Sequence, residues 1–296
     1  MNEPQYSLLT DATCDLTEEF YRELGVEVIA LGYTINGVEK FDGQTEAEQS
    51  GVGGMRDFYQ ALREGARATT TQISTQRYIE KMGQLLEKGD VLYMAFSSGL
   101  SGSYQSACSA AMELRETYPN RTLYVIDTKA ASLGEGLFVT HASQKRGDGM
   151  DIHSLKKWIE DNWQRYCHLV TVDNLRHLRA GGRISATTEV IGSIFDIKPM
   201  IHVDLEGHLV ASGKVRGRKR SLRRLVEQVK EDIIDPTSQV MYICQGDCID
   251  DARFVKDALI RDVGVKDVRI GYAGPVIGSH TGPGVIAVFF VGKGRK

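Results

Sequence analysis

The chain has 296 residues, 42% of them apolar and 25% charged, and its 36 basic and 39 acidic side chains leave a formal net charge of −3. A chain of that length buries about three quarters of its extended surface on folding. The composition therefore describes a globular protein of one large or two ordinary domains, and it excludes disordered, collagen-like and polytopic membrane classes, as well as a surface devoted wholly to nucleic acid.

The first half alternates short apolar runs with amphipathic stretches, the pattern of βα units feeding a parallel sheet. Tyr6 to Thr10 reads as a strand, and Asp15 with Glu18 three residues on reads as a capping box opening a helix that Gly25 ends. Val26 to Leu31 is the next strand, and Asn36-Gly37 sets a tight hairpin between Tyr33–Ile35 and Val38–Phe41. A polar, glycine-containing stretch from Gln44 to Gly54 follows. Phe58, Ala61 and Leu62, and then Tyr78, Met82, Leu85 and Leu86, have helical spacing. Val91 to Phe96 is a strand running into Ser97-Ser98-Gly99-Leu100-Ser101-Gly102 and then into an alanine-rich helix from near Tyr104. Thr122 to Ile126 is a further strand, followed by helices around 134–146 and 151–164.

From His168 onward the texture changes, and mixed strand directions are expected. The elements read there are a strand at 168–172, short helices over 174–192, a hairpin turning at Glu206-Gly207 and a basic helix at 219–234. A strand at 239–244, a helix at 250–262 and strands at 267–273 and 285–291 complete the chain. Gly271 to Gly292 has no formal charge, but only Val285 to Val291 is continuously apolar, far short of the roughly 20 residues of a spanning helix, so a buried strand is expected rather than membrane insertion. Five cysteines in no regular framework suit a reducing compartment, and the opening MNEPQYSLLT lacks the basic and long apolar segments of a secretory signal, so a cytoplasmic location is expected.

Three small-polar segments carry possible chemistry: Thr69-Thr70-Thr71-Gln72 before a helix, Ser97 to Ser103 between a strand and a helix, and the loop Gly278-Ser279-His280-Thr281-Gly282-Pro283-Gly284. Hydroxyls and glycines at helix starts suit an anion, because they donate hydrogen bonds and let the backbone come close; equally, such residues serve as N-caps and turns. His280 reads either as a ligand-contacting donor or as a structural histidine. Asp11 and Asp15 read either as cation ligands or as a cap and a turn. No Walker A sequence or dinucleotide fingerprint is present, and Gly99 to Ser103 ends in serine where a nucleophile elbow has glycine. Cys244 and Cys248 lack the partner pair a zinc site needs, so no metal is expected. Lys214 to Arg224, KVRGRKRSLRR, is basic at seven of eleven positions, and cations at a helix start oppose its dipole. This stretch is either a solvated face or a dock for an acidic partner, phosphate groups or nucleic acid.

Taken together, TDATCDL (10–16), SSGLSGSYQSA (97–107), VIDTKAASLGEG (125–136), VDNLRHLRAGGRIS (172–185), IKPM (197–200), GKVRGRKR (213–220) and GPVIGSHTGPG (274–284) resemble the DegV family, the fatty-acid-binding subunits of the bacterial fatty acid kinase system. The resemblance implies an N-terminal parallel-sheet α/β domain over 1–160 and a C-terminal mixed-sheet α/β domain over 161–296, with an acyl chain buried in a lipid tunnel. Carried residue by residue, it puts the carboxylate contacts on Thr70, Thr71, Ser97, Ser98 and His280. Arg183 falls near that site or at the kinase surface, and Arg216 and Arg218 fall in the kinase dock. It implies a long-chain fatty acid as ligand, no other cofactor, and a carrier without catalytic residues of its own that serves a separate ATP-dependent kinase. Two departures are present: Thr71-Gln72-Ile73 stands where the family usually has serine followed by Gln-Pro, and residues 44–54 are longer and richer in glycine than usual. The competing reading is an acyl hydrolase or acyltransferase using Ser97 or Ser98 with His280.

Overall fold

The computed structural model describes residues 6–42, 54–184 and 196–296. The first half comprises, in order, β1 (Tyr6–Asp11), α1 (Glu18–Leu24), β2 (Val26–Ile29), β3 (Leu31–Ile35), β4 (Val38–Asp42), α2 (Gly54–Arg63), β5 (Ala68–Thr71), α3 (Thr75–Leu86), β6 (Asp90–Ala95), α4 (Ser103–Thr117), β7 (Leu123–Asp127), α5 (Leu133–Gly147) and α6 (Ile152–Asn162). Strands β2-β1-β6-β7 form a sheet in that order, with every pairing parallel, as the βα alternation requires. Asn36 and Gly37 both take positive φ and close a two-residue hairpin between β3 and β4.

Two local readings are corrected. Asp15 does not cap α1: Thr17 does, its hydroxyl accepting from Phe20 N at 3.2 Å, while Asp15 sits in the left-handed region with its carboxylate turned inward. Gly25 ends the helix as expected, at φ 60°. Thr69 to Thr71 do not form a cap segment either. They lie in β5, which pairs antiparallel with β3 in a separate sheet of order β4-β3-β5, and Ser74 caps the helix that follows. Consecutive β-branched residues favour the strand. The stretch Gln44 to Gly54 lies outside the described residues except for Gly54.

The second half comprises β8 (Tyr166–Thr171), α7 (Arg176–Ala180), β9 (Ile197–Val203), β10 (Leu209–Arg216), α8 (Arg218–Asp232), β11 (Val240–Gln245), α9 (Ile249–Ala258), β12 (Asp267–Tyr272), α10 (Pro275–Thr281) and β13 (Ile286–Val291). The sheet order is β10-β9-β8-β13-β11-β12, with β11 and β12 parallel and the other pairings antiparallel. Of the short helices expected over 174–192, α7 is the one within the described residues, and 185–192 lie outside them. The Gly278 to Gly284 segment, expected as a loop, is helical as far as Thr281. Pro275 stands at the first turn, and Ser279 and Thr281 donate back to the carbonyls of Pro275 and Ile277, at 2.7 and 3.0 Å, so their hydroxyls are satisfied within the helix. Gly282, at φ 75°, ends it.

The core joins the two large sheets through α5. Leu133, Leu137, Phe138 and Val139 on that helix share one apolar cluster with Leu8, Leu92 and Met94 of the parallel sheet and with Val170, Tyr242 and Phe289 of the mixed one. A helix buried on both faces lacks the polar stripe of a surface helix.

Candidate functional site

Between the sheets lies a cavity of about 370 Å³, within the range of about 300–1,000 Å³ typical of small-molecule sites. Its walls are asymmetric. Phe96, Leu100, Leu178, Leu209, Val285 and Phe289 make much of the interior, whereas Thr70, Thr71, Gln72, Ser101, Gly102, Arg183 and His280 gather where β5, α10, α7 and the start of α4 meet.

Each polar group is placed by its element. Thr70 sits on β5 opposite Tyr33 of β3, and its Oγ1 lies 2.8 Å from His280 Nε2 on the last turn of α10. The other ring nitrogen, Nδ1, is buried without a hydrogen-bond partner among the described residues. It lies against Gly181, just past α7, where a β-carbon would overlap it. Burial, and then the neighbouring Arg183 guanidinium, push the His280 imidazolium down to about 4, so the ring is neutral at neutral pH and acts as a hydrogen-bonding group rather than a cation.

Positive charge comes from Arg183. Its Nε donates to Leu100 O at 3.1 Å and its Nη1 to Gly181 O, which ties the turn after α7 to the serine loop. Ser101 Oγ accepts from Ser103 N at 3.2 Å at the opening of α4. Gly102 supplies no side-chain cap to that helix, and the unpaired N–H groups of a 15-residue helix favour an anion there. Neutral donors, one guanidinium and a helix start therefore converge at one end of an apolar cavity, an arrangement that suits a carboxylate on a hydrocarbon.

Of the residues carried over by resemblance, Thr70, Thr71, His280 and Arg183 line this cavity. Ser97 and Ser98 do not. Ser97 is fully buried and its hydroxyl donates to Gly207 O at 2.8 Å; Ser98 is exposed and accepts from Lys129 Nζ at 2.8 Å. The strand-to-helix turn directs both away from the cavity and presents Ser101 and Gly102 instead. Their signal in the sequence was their place immediately before the alanine-rich helix, where free N–H groups lie. His280 accordingly meets a threonine, not a serine, and the Ser97/Ser98–His280 pairing of the hydrolase reading is not formed.

The two expected docking arginines part company. Arg216 is exposed at the end of β10. Arg218 is turned into the fold, where Nε bonds Asp251 at 2.8 Å and Nη2 bonds Gly284 O at 2.7 Å, so it holds the start of α8 to α9 and to the segment before β13.

A family model described as "Uncharacterised protein, DegV family" matches residues 5–293. The chain belongs to the DegV family. A DegV domain-containing protein of Clostridium perfringens is 39% identical over 293 residues, covering 99% of both chains. Among solved structures, a fatty-acid-binding DegV family protein of Streptococcus agalactiae is 29% identical with a TM-score of 0.82, covering 98% of this chain and 100% of its own. A Thermus thermophilus DegV family protein, whose structure concerns fatty acid binding, is 27% identical with a TM-score of 0.84, covering 96% and 98%. The parallel-sheet first part and mixed-sheet second part are thus a DegV arrangement. In this DegV chain no group of three or more His, Cys, Asp or Glu among the described residues is placed to hold a metal ion. No helix among the described residues is long and apolar enough to cross a membrane.

Proposed function

We propose that the protein binds a long-chain fatty acid between the parts 1–160 and 161–296, with the hydrocarbon in the apolar cavity and the carboxylate at its polar end. The observation that carries this reading is an apolar interior with ligand-facing polar groups gathered at one end, the interior Ser132 and His168 being engaged by Asp15, Ala131 and Tyr166. Burying about fifteen methylenes at roughly 0.8 kcal/mol each yields on the order of 12 kcal/mol gross, so the tail supplies most of the affinity. The polar end offsets the desolvation of the carboxylate and fixes its direction. Thr70 and His280 hydrogen-bond it, Thr71 and Ser101 flank it, and Arg183 with the α4 start supplies the compensating charge. The DegV relatives from Streptococcus agalactiae and Thermus thermophilus, whose structures are described as fatty-acid-binding, support the ligand class.

We further propose that the protein acts as a carrier in the cytoplasm. It presents the carboxylate to a separate ATP-dependent kinase, whose γ-phosphoryl group the carboxylate oxygen takes to form an acyl phosphate and ADP. The exposed cations Arg216, Lys219, Arg220 and Arg223 support a docking role for this basic face. Arg218 enters only by holding the helix that carries it. Titration of delipidated protein with palmitic acid and with methyl palmitate tests the carboxylate site: the acid is expected to bind at least tenfold tighter, and Thr70→Val to narrow that gap. Equal affinity for acid and ester would contradict the assignment.

A further inference from the structure

A second cavity, of about 770 Å³, lies on the other side of the segment that leads into α10, enclosed by α1, the β3–β4 hairpin, α2 and the end of β12. Its lining is strongly acidic: among the described residues Asp15, Glu18, Glu39, Asp42 and Asp57 stand against the single base Lys40. Asp15 and Asp42 converge at its floor, where a β-carbon on Gly274 would lie 2.5 Å from Asp15 Oδ1 and 3.0 Å from Asp42 Oδ2. The Ser132 hydroxyl donates to Asp15 Oδ2, while Oδ1 is buried beside the Gly274 backbone with no side-chain hydrogen-bond partner among the described residues. Tyr21 lines the same cavity with 6% of its surface exposed, and its phenol oxygen has no hydrogen-bond partner among the described residues. The remaining walls are aliphatic and aromatic: Val28, Ile35 and Met55 contribute, Tyr33 stands edge-on to Phe58 at 5.9 Å, and Phe41 and Tyr272 also line the space.

We infer that this cavity is a binding site for an organic amine, whose ammonium sits between Asp15 and Asp42 within reach of the Tyr21 hydroxyl while its apolar body packs on Tyr33, Phe41, Phe58 and Tyr272. Two adjoining buried carboxylates repel each other and are costly to desolvate, and a cation between them relieves both penalties. The carboxyl of Asp15 is already held far above the usual range, by burial first and then by Asp42. Aromatic faces attract an ammonium or the carbon next to it, and they supply area for the rest of the ligand. A metal ion fits less well, because among the described residues no three His, Cys, Asp or Glu side chains come close enough together to hold one. Nothing in this inference depends on the fatty acid.

Phenethylammonium is a suitable probe, with phenethyl alcohol as its neutral counterpart, both titrated calorimetrically into the full-length protein. Saturable one-to-one binding of the amine, at least tenfold tighter than that of the alcohol, is expected, and it should weaken at least tenfold in Asp15→Asn and in Asp42→Asn. Absence of saturable amine binding, or equal binding of amine and alcohol, overturns the site, as does amine affinity unchanged in both variants. The amine–alcohol comparison on the unaltered protein decides the matter even if a variant fails to fold. Native mass spectrometry of the same samples reads fatty-acid occupancy separately, so failure of the lipid reading leaves the amine result standing.

Discussion

His280 is held by its neighbours so closely that one methyl group tests its role. Gly181 has an ordinary helical φ of −79°, so alanine there costs nothing in backbone strain, yet its β-carbon would overlap His280 Nδ1. Gly181→Ala is expected to push the ring off Thr70 and weaken fatty-acid binding at least tenfold, with circular dichroism unchanged; full affinity in a folded variant would separate His280 from the ligand. The same ring makes stability depend on pH. Its folded pKa, about 4, lies below the unfolded value of about 6.5, so between those values the unfolded chain binds more protons and stability falls as pH falls. At pH 5 the loss relative to pH 7 is roughly 2 kcal/mol for a shift of this size. His141, also pushed down to about 4 by burial, acts in the same direction. Urea unfolding at pH 7 and pH 5 should therefore show a smaller loss in His280→Gln than in the parent; an identical loss would place the buried ring elsewhere in the balance.

At the scale of elements, α5 does most to join the two halves, and its tightest point is Gly134, where a β-carbon would overlap both His168 Nε2 and the Phe289 ring. His168 has no freedom to retreat: Nδ1–H donates to Tyr166 O at 2.9 Å, Nε2 accepts from Ala131 N at 3.3 Å, and the ring stands edge-on to Phe289. Gly134→Ala is expected to destabilise by about 1–3 kcal/mol through overpacking, despite alanine's better helix propensity, and urea denaturation reads the sign directly. The strands and helices flanking these contacts were legible because their signals are local: the period-2 and 3.6 runs, the Asn36-Gly37 turn and the Gly25 stop each appear where the sequence puts them. Elements set by distant partners were not. β5 is four residues long and defined by pairing with β3, and α10 is a glycine-containing helix held between β5 and α7, so neither has an amphipathic pattern of its own. The same limit applies inside the site. Residue type pointed to hydroxyls near the α4 start, but only the turn geometry decides that Ser101 faces the cavity while Ser97 and Ser98 face away.

For the molecule as a whole, a near-neutral composition turns out to hold sharply divided surfaces. One cavity is apolar with a cation and neutral donors at a single end, its neighbour is acidic and aromatic, and the exposed side of α8 is basic. Near balance in the total says little about such local fields. The apolar fraction is divided too: part of it fills the cluster around α5 and part lines the space between the sheets. Whether that space holds an acyl chain is the central question, and native mass spectrometry of the freshly purified full-length protein answers it most directly. A bound mass equal to one long-chain fatty acid per chain, lost on delipidation and restored by added acid, is the expected result. A protein that carries no such mass and takes up no added fatty acid would contradict the account.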